Sequence, residues 1–221
     1  MKFPKVIVFD VGGTLIKNID FDFNRGFQYL KLVFNSDDSF IDRCNTFKKD
    51  IIDKRDNTEK EISFKDLIDY LSKYYQIKQN NNFLFIEENF RKSLYKSSMI
   101  PNADTILKYL SDKGIKLYCF SNSMFSSEEI KLELDQYDLS KYFISITSSA
   151  DYGYRKPSKK VFSQYLDKET DIWFIGNEIK YDIMPVLDLG GRPIMYSNKT
   201  WVHPEFTEIK SYLDLIKLFE E

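Results

Sequence analysis

A carboxylate that follows an apolar run is the first residue in this sequence whose position suggests chemistry. Asp10 comes directly after Val6–Phe9, a run of β-branched and aromatic residues that predicts a strand buried on both faces. Gly12 and Gly13 follow, and glycines allow the tight turns and close backbone approach that a ligand requires. Open α/β sheets bind ligands at the carboxyl ends of their strands, so this stretch predicts a site. The glycine spacing matches neither the dinucleotide-binding fingerprint nor the nucleotide P-loop.

Polar residues suited to catalysis follow at three further predicted strand ends or strand–helix junctions. They are Ser121 and Asn122, then Lys156 before Pro157, and finally Asn177, Glu178 and Asp182. Because the carboxyl ends of parallel strands share one edge of a sheet, we expect these side chains to converge on Asp10. A carboxylate nucleophile, a hydroxyl, a lysine and a cluster of oxygen ligands suited to Mg²⁺ would form a phosphoryl-transfer site.

Each of these residues also has a purely structural interpretation. Ser121 could cap a turn, and Lys156 could be an ordinary solvated lysine. Asn177 could occupy a turn, and Asp182 could cap a helix. Their order along the chain and their shared placement at strand ends favour a common site over a coincidence.

The elements that must position these residues fall into two kinds, and the first is a run of helices between 22 and 97. The first helix has apolar residues at spacings of four, three and four from Phe23 to Phe34. Three more helices are predicted at 40–51, 63–74 and 83–94. Ser63 with Asp66 resembles a capping box, and the charged stretch 54–61 is predicted to be a solvated turn. Four short helices in sequence predict a small helical bundle.

After Pro101 the sequence alternates between predicted helices and strands. Helices are expected at 102–113, 126–136, 158–166, 181–189 and 211–219. Strands are expected at 115–120, 142–147, 171–175 and 192–196. This alternation predicts an α/β fold with a mostly parallel sheet and helices on both of its faces. The helical bundle is then an insertion, residues 17–97, within a core made of residues 1–16 and 98–221.

Composition argues against several classes of function. The formal net charge of the 221-residue chain is -2, which gives no electrostatic reason to expect nucleic acid or an anionic membrane as a partner. No run of about 18 apolar residues predicts a transmembrane helix, and Asp10 ends the first apolar run too early for a signal peptide. Cys44 and Cys119 lack metal-type spacing and fit a reducing compartment, while the lone His203 argues against a histidine dyad. We expect a cytoplasmic protein that is a monomer or a homodimer.

Four short motifs, in order, resemble those of the haloacid dehalogenase-like (HAD) superfamily of hydrolases. They read FDVGGTL, CFSN, YRKP and IGNEIKYD, and the resemblance covers nearly the whole chain. It implies a Rossmann-like core. The helical stretch matches the position of the family's cap, which closes over the site and selects the substrate.

The resemblance also implies a role for each polar residue. Asp10, as the nucleophile that forms an aspartyl-enzyme intermediate, would be catalytic together with Ser121 and Lys156. Lys156 would balance charge around Asp10 and the phosphate. Substrate and phosphate would be bound by Gly13, Thr14, Ser121, Asn122 and Lys156. Mg²⁺ would be held by Asp10, the main-chain oxygen of Gly12, Asn177, Glu178 and Asp182.

Two residues depart from the pattern of the family's phosphatases. Gly12 stands where they usually carry a second Asp, a general acid and base whose help is worth roughly 10²–10⁴-fold in rate. Asn177 replaces the usual first acid of the fourth motif, which leaves less negative charge to hold Mg²⁺. Good leaving groups such as acyl phosphates would suffer least from the missing acid.

Three hypotheses for the function follow. The first is a Mg²⁺-dependent phosphatase of a small phosphorylated metabolite, acting through an aspartyl-phosphate on Asp10. The second is a hydrolase of C–halogen or C–P bonds, a class that also lacks the second Asp, in which Arg25 or Arg43 could cradle a halide. The third is a catalytically weakened member that binds a ligand or a protein. Near the entrance to the site we expect Asn18, Asp20 and Phe21.

Overall fold

The computed structural model describes residues 3–76, 82–165, 172–197 and 205–220. In these ranges the strands are Val6–Phe9 (β1), Ile16–Ile19 (β2), Lys96–Met99 (β3), Lys116–Ser121 (β4), Ser145–Ser148 (β5), Ile172–Gly176 (β6), Arg192–Tyr196 (β7) and Thr207–Ile209 (β8). The α-helices are Phe23–Val33 (α1), Ser39–Thr58 (α2), Phe64–Tyr75 (α3), Phe83–Leu94 (α4), Ala103–Asp112 (α5), Ser127–Asp135 (α6), Ser149–Tyr152 (α7), Lys159–Ser163 (α8), Met184–Asp188 (α9) and Tyr212–Glu220 (α10). His203, the start of the strand expected at 171–175 and the end of the helix expected at 158–166 lie outside the described residues.

Six strands form one parallel sheet in which β1 is an interior strand. The strand order is β5-β4-β1-β6-β7-β8, and β1 pairs in parallel with β4 and β6. Successive side chains of a strand point to opposite faces, so Ile7 and Phe9 enter one hydrophobic core and Val8 enters the other. Residues of α5 and α10 line the first core, and residues of α8 and α9 line the second. The predicted α/β fold with a mostly parallel sheet is confirmed.

Two strands of this sheet differ from the sequence-based expectation. The strand expected at 142–147 begins only at Ser145, because a 3₁₀ turn at Ser140–Tyr142 precedes it. Strand β8 was not predicted at all. Its three residues are too few to show the alternation by which a strand is recognised in a sequence.

A separate two-stranded sheet, β2 paired with β3, brackets the four helices α1 to α4. The strands are antiparallel, with Ile16 opposite Met99 and Ile19 opposite Lys96. Strand β2 follows the glycine turn after β1, and only Ile16 of its four residues is buried. Both strands are only four residues long and show no alternation of apolar and polar residues, which explains why neither was predicted. The chain thus leaves and returns at one place, although the boundary between core and cap stays a prediction.

Helix α2 is longer than the sequence suggested, and the turn expected at 54–61 is wrong. The helix continues to Thr58, and its last turns carry side-chain bonds back to the backbone, Asn57 to Asp53 and Thr58 to Lys54. Arg55 reaches past the helix end and donates to the carbonyl oxygen of Ile62 at 3.2 Å. The charged segment up to Thr58 is thus helical, and Arg55, not an apolar side chain, joins its end to the residues that follow.

Side-chain caps begin α3 and α6 where the sequence predicted them. The hydroxyl of Ser63 accepts the amide hydrogen of Asp66 at 3.2 Å, and the Asp66 carboxylate accepts the Ser63 amide hydrogen at 2.7 Å. Ser126 accepts from the amide of Glu129 in the same way. Each cap satisfies backbone donors that the first turn of a helix leaves unpaired, so the capping box is confirmed.

The helix expected at 181–189 begins earlier and in a different form. A π-helical turn spans Ile179–Ile183 and leads directly into α9. Pro185 lies in the first turn of α9, where the missing N–H is tolerated. Isolated π-helical turns are frequent at functional sites, and this one carries Asp182.

The segment after α2 forms backbone hydrogen bonds with the loop before Lys156. The amide of Arg155 donates to the carbonyl of Glu59 at 2.9 Å, and the amide of Glu61 donates to the carbonyl of Gly153 at 3.2 Å. The helical segment is therefore joined by main-chain bonds to the loop that carries the candidate lysine.

A buried cluster of charged side chains joins α4 to α6. Arg91 is 2% exposed; its guanidinium donates to Glu129 and, at 3.2 Å, to Glu133. Nearby, the buried carboxylate of Glu87 accepts both the amide and the hydroxyl of Ser126, at 2.8 and 2.6 Å.

In the described ranges, no helix is both long and apolar enough to cross a membrane.

Replacing Arg91 by Met should destabilise the protein strongly, because Glu129 and Glu133 would stay buried without a counter-charge. We expect the free energy of unfolding to fall by about 3–5 kcal/mol. Lys92→Met is the matched control on the same helix, since Lys92 pairs with Glu88 at the surface, and it should cost roughly 0.5 kcal/mol or less. Urea denaturation measures both variants. Similar losses for the two would contradict a structural role of the buried cluster.

Candidate active site

Lys156 connects two buried carboxylates that come from separate strand ends. Its ammonium donates to Asp10 Oδ1 and to Asp182 Oδ1, both at 2.6 Å. The three residues are almost inaccessible, with exposed fractions of 1% for Lys156, 6% for Asp10 and 1% for Asp182. The predicted convergence of these side chains on Asp10 is therefore seen in the structure.

The ionisation of this group follows from burial and from the pairing. Burial raises the pKa of Asp10 to about 6; the positive charge of Lys156 opposes this rise and the negative charge of Asp182 adds to it. Burial alone would lower the pKa of the Lys156 ammonium, but the two carboxylates outweigh it and hold that pKa above its usual range. Near neutral pH the cluster thus contains an ionised Asp10, which is the form that can act as a nucleophile.

The turn after β1 places a hydroxyl against Asp10. The amide of Asp10 continues the ladder by donating to the carbonyl of Ile175 at 2.8 Å. The chain then turns back, and the Thr14 hydroxyl donates to Asp10 Oδ2 at 3.0 Å. Gly13 has φ +80, and a Cβ there would lie 2.4 Å from the nearer end of the Asn177 side-chain amide. Only glycine fits at position 13, because both the backbone angle and the neighbouring amide exclude a side chain.

Asp182 is fixed by the turn that follows β6. Its Oδ2 accepts the main-chain amides of Asn177 and Glu178 at 3.1 and 3.0 Å. A Cβ on Gly176 would lie 2.4 Å from the Asp182 side chain, so glycine at the strand end makes the space for this carboxylate. Sequence reasoning missed this role of Gly176, although a glycine directly before the polar cluster was the available signal.

Asn122 holds the main chain of Lys156. Its side-chain nitrogen donates to the Lys156 carbonyl at 2.9 Å, and its side-chain oxygen accepts the Lys156 amide at 2.8 Å. Ser121, the last residue of β4, is buried beside it. The structure thus shows a positioning contact for Asn122, while its predicted contact with phosphate stays a prediction.

A cavity of about 340 Å³ lies over this group. It is lined by Asp10, Gly12, Gly13, Lys17, Asn18, Ser121, Asn122, Arg155, Lys156, Glu178, Tyr181 and Asp182. Among these, Lys17, Arg155 and Tyr181 were missed, because a single cationic or aromatic residue has no sequence pattern that distinguishes it from a solvated one. Of the residues expected at the entrance, Asn18 lines the cavity.

The other expected entrance residues, and both candidate arginines, do not line this cavity. Asp20 pairs with Arg25 at 2.6 Å, and Phe21 stacks on Tyr95. The guanidinium of Arg43 lies 3.2 Å from the centre of the Tyr74 ring. No contact in the described part of the chain therefore supports a halide-cradling role for Arg25 or Arg43.

Comparison with known proteins agrees with this geometry. The family of haloacid dehalogenase-like hydrolases matches residues 4–187. The chain belongs to this family. No curated protein matches the sequence.

Solved structures of HAD-superfamily proteins share the fold at low sequence identity. A HAD phosphatase from Thermococcus onnurineus has a TM-score of 0.63 at 16% identity over 97% of both chains. The putative HAD-hydrolase YfnB from Bacillus subtilis, bound to magnesium, has a TM-score of 0.59 at 19% identity over 100% of both. A 2-haloacid dehalogenase from Pseudomonas syringae pv. Tomato DC3000 has 0.60 at 16% over 99% of both. These likenesses show the fold alone, since proteins of one fold can catalyse different reactions.

The oxygens beside Asp10 lie about as far apart as neighbouring ligands of a magnesium ion do. The inward end of the Asn177 amide lies 3.0 Å from the Gly12 carbonyl oxygen and 3.3 Å from Asp10 Oδ2. Mg²⁺ prefers oxygen ligands at 2.0–2.1 Å in an octahedron, whose neighbouring ligands are about 3 Å apart. In the described ranges no group of three or more His, Cys, Asp or Glu side chains is placed to hold a metal. A metal here would therefore depend on main-chain and amide oxygens.

Two of the predicted metal ligands, Asp182 and Glu178, do not join this set of oxygens. Both oxygens of Asp182 are already occupied, one by Lys156 and the other by main-chain amides. Glu178 is exposed and lines the cavity. The possible metal ligands that lie together are thus oxygens of Asp10, the Gly12 carbonyl and Asn177.

Removing the lysine should raise the pKa of Asp10. In Lys156→Met, burial and the charge of Asp182 would act on Asp10 without the opposing ammonium, so we expect its pKa to rise above the value of about 6 in the unaltered protein. The fraction of ionised Asp10 at neutral pH would fall. ¹³C NMR of the carboxyl carbon measures this directly. Lys159→Met, which removes a charge from the exposed start of α8, is the control, and an unchanged Asp10 titration in Lys156→Met would refute the electrostatic account.

Proposed function

We propose that this HAD hydrolase is a Mg²⁺-dependent phosphatase of a small phosphorylated metabolite, with Asp10 as the nucleophile. The observation that carries the proposal is the Lys156 ammonium, which lies 2.6 Å from Asp10 Oδ1 at the floor of a cavity large enough for a small metabolite. A buried carboxylate that is kept ionised and oriented by a lysine is suited to attack an electrophile.

In the proposed reaction an Asp10 oxygen forms a bond to phosphorus while the bond to the leaving oxygen breaks. The leaving oxygen then takes up a proton from solvent water, because Gly12 has no side chain to supply one. Water next attacks the phosphorus of the aspartyl-phosphate, which releases inorganic phosphate and restores the carboxylate. Lys156 and the Thr14 hydroxyl hold the two Asp10 oxygens throughout. When bound, Mg²⁺ would neutralise charge on the phosphate oxygens and on Asp10.

The charges of the cavity lining balance: Lys17, Arg155 and Lys156 are positive, and Asp10, Glu178 and Asp182 are negative. The positive charges that an anionic substrate would meet are Lys17 and Arg155, since Lys156 is paired with Asp10 and Asp182. Arg155 lies 3.6 Å from Glu61, whose carboxylate is also paired with Arg55. The guanidinium of Arg155 is therefore only partly neutralised by its protein neighbour.

Hydrolysis of C–halogen or C–P bonds is the second candidate, favoured by Gly12. Such a reaction would use the same Asp10 nucleophile and would not need the leaving-group acid that Gly12 cannot provide. A substrate panel separates the two candidates: release of phosphate that stops when Mg²⁺ is chelated supports the phosphatase. Halide release that chelation does not affect would support the dehalogenase. Ligand-induced stabilisation without turnover of any compound would indicate a binding protein.

Asp10→Asn should abolish phosphatase activity, because an amide cannot form the aspartyl-phosphate. We expect turnover of acyl and aryl phosphates to fall by on the order of 10³-fold or more. Asp20→Asn is the matched control, since Asp20 pairs with Arg25 outside the cavity. A phosphate-release assay on both variants is the measurement. Activity of Asp10→Asn close to that of the control would reject the proposed nucleophile.

Gly12→Asp should supply the missing general acid. A Cβ at position 12 would meet nothing within 4 Å, so the first atom of the side chain displaces no neighbour. We expect hydrolysis of alkyl phosphates, whose leaving groups need a proton, to rise by about 10²-fold, with little change for acyl phosphates. Gly12→Asn has the same shape without a titrating proton and should give no such gain. Equal effects of the two substitutions on alkyl phosphates would rule out proton transfer at this position.

A further inference from the structure

We propose that the side-chain amide of Asn177 is a two-position switch for the cation site. Without a cation its NH₂ end points inward, and its hydrogens bond to the oxygens that would otherwise bind the cation. With a cation bound the amide turns by half a rotation and its oxygen becomes a ligand. The inference depends on the proposed function only for the identity of the cation as Mg²⁺.

The inward end of the amide is surrounded by oxygens. It lies 3.0 Å from the Gly12 carbonyl, 3.2 Å from the Thr14 hydroxyl and 3.3 Å from Asp10 Oδ2. A carbonyl oxygen and a carboxylate oxygen can only accept hydrogen bonds. When nitrogen occupies the inward position, its two hydrogens can be donated to these oxygens.

The opposite orientation leaves too few hydrogens. With oxygen inward, only the Thr14 hydroxyl could donate to it, and that hydroxyl already donates to Asp10 Oδ2 at 3.0 Å. One hydrogen cannot fully serve both acceptors, so the amide oxygen would face the Gly12 carbonyl and Asp10 with no hydrogen between them. Oxygens that face one another with no hydrogen between them repel, and a cation between the three oxygens removes that repulsion. Each orientation is therefore stable in one state of the site.

The exchange needs no repacking. The two ends of a carboxamide have nearly the same size, so half a rotation about the Cβ–Cγ bond puts oxygen and nitrogen in each other's places. The amide lies directly over Gly13, where a Cβ would come within 2.4 Å of its outer atom and 2.9 Å of its Cγ. The missing side chain at Gly13 leaves the space in which the amide sits.

The resemblance implies that the family usually has a carboxylate at position 177. A carboxylate there could not switch. Both of its ends are negatively charged oxygens, and one would always face Asp10, so the site without a cation would be strained by like charges. Asn177 removes that repulsion and also removes one negative charge from the ligands. The consequences are a stable site without Mg²⁺ and a weaker affinity for Mg²⁺.

The test uses the full chain without substrate, so it does not depend on turnover. Thermal unfolding in EDTA and calorimetric titration with MgCl₂ are measured for the unaltered protein, for Asn177→Asp and for Asn24→Asp. The last variant adds the same charge at an exposed residue of α1 outside the cavity. We expect Asn177→Asp to unfold at a lower temperature in EDTA and to bind Mg²⁺ at least about tenfold more tightly, because an anionic oxygen is the stronger ligand. Asn24→Asp should behave like the unaltered protein.

Unchanged Mg²⁺ affinity in Asn177→Asp, or unchanged stability in EDTA, would overturn the switch, as would absence of Mg²⁺ binding in both proteins. If Asn177→Asp fails to fold, the unaltered protein gives a second measurement. The ¹⁵N side-chain signals of Asn177, assigned by their loss in Asn177→Ser, should be protected from solvent exchange in EDTA and lose that protection with Mg²⁺. Identical protection in both conditions would also overturn the proposal. Tight Mg²⁺ binding with an intact switch but no phosphate release would instead reject the phosphatase function alone.

Discussion

The structure depends on one buried ammonium held between two carboxylates. Lys156 lies 2.6 Å from both Asp10 and Asp182, and the three residues come from distant parts of the chain. Any one of these charges buried alone would be expensive, so each is tolerable only if the fold delivers the other two. The parallel sheet does this, because β1 and β6 are neighbours and end at the same edge. The need to bring these three charges together thus restricts the strand order, the turn at Gly176 and the course of the loop before Lys156.

The parts of this arrangement that sequence could predict are those with a local cause. The run Val6–Phe9 is apolar at every position, because its strand is covered on both faces, and this identified both the strand and the acid that follows it. The Ser63 cap depends on residues three apart, which a sequence shows directly. Four motifs in order then identified the family, and the family match over residues 4–187 confirms it.

What sequence could not predict depends on contacts between distant residues. Strands β2 and β3 are short and show no alternation of apolar and polar residues, so only their pairing defines them. The pairing of Arg91 with Glu129 crosses 38 positions, and nothing near either residue announces it. Arg155 lines the cavity because the loop before Lys156 folds beside Asp10, which is far away in the sequence. The orientation of the Asn177 amide depends on three oxygens from another turn, which a sequence cannot bring together.

The main-chain bonds between the segment after α2 and the loop before Lys156 have a mechanical consequence. Arg155 donates to the Glu59 carbonyl, and Asn122 grips the Lys156 backbone from the opposite side. The chain beside this ammonium is thus bonded to two different parts of the fold, through Arg155 to the segment after α2 and through Asn122 to the end of β4. A substitution that shifts either part would therefore move the lysine relative to its two carboxylates, even where the changed residue lies outside the cavity.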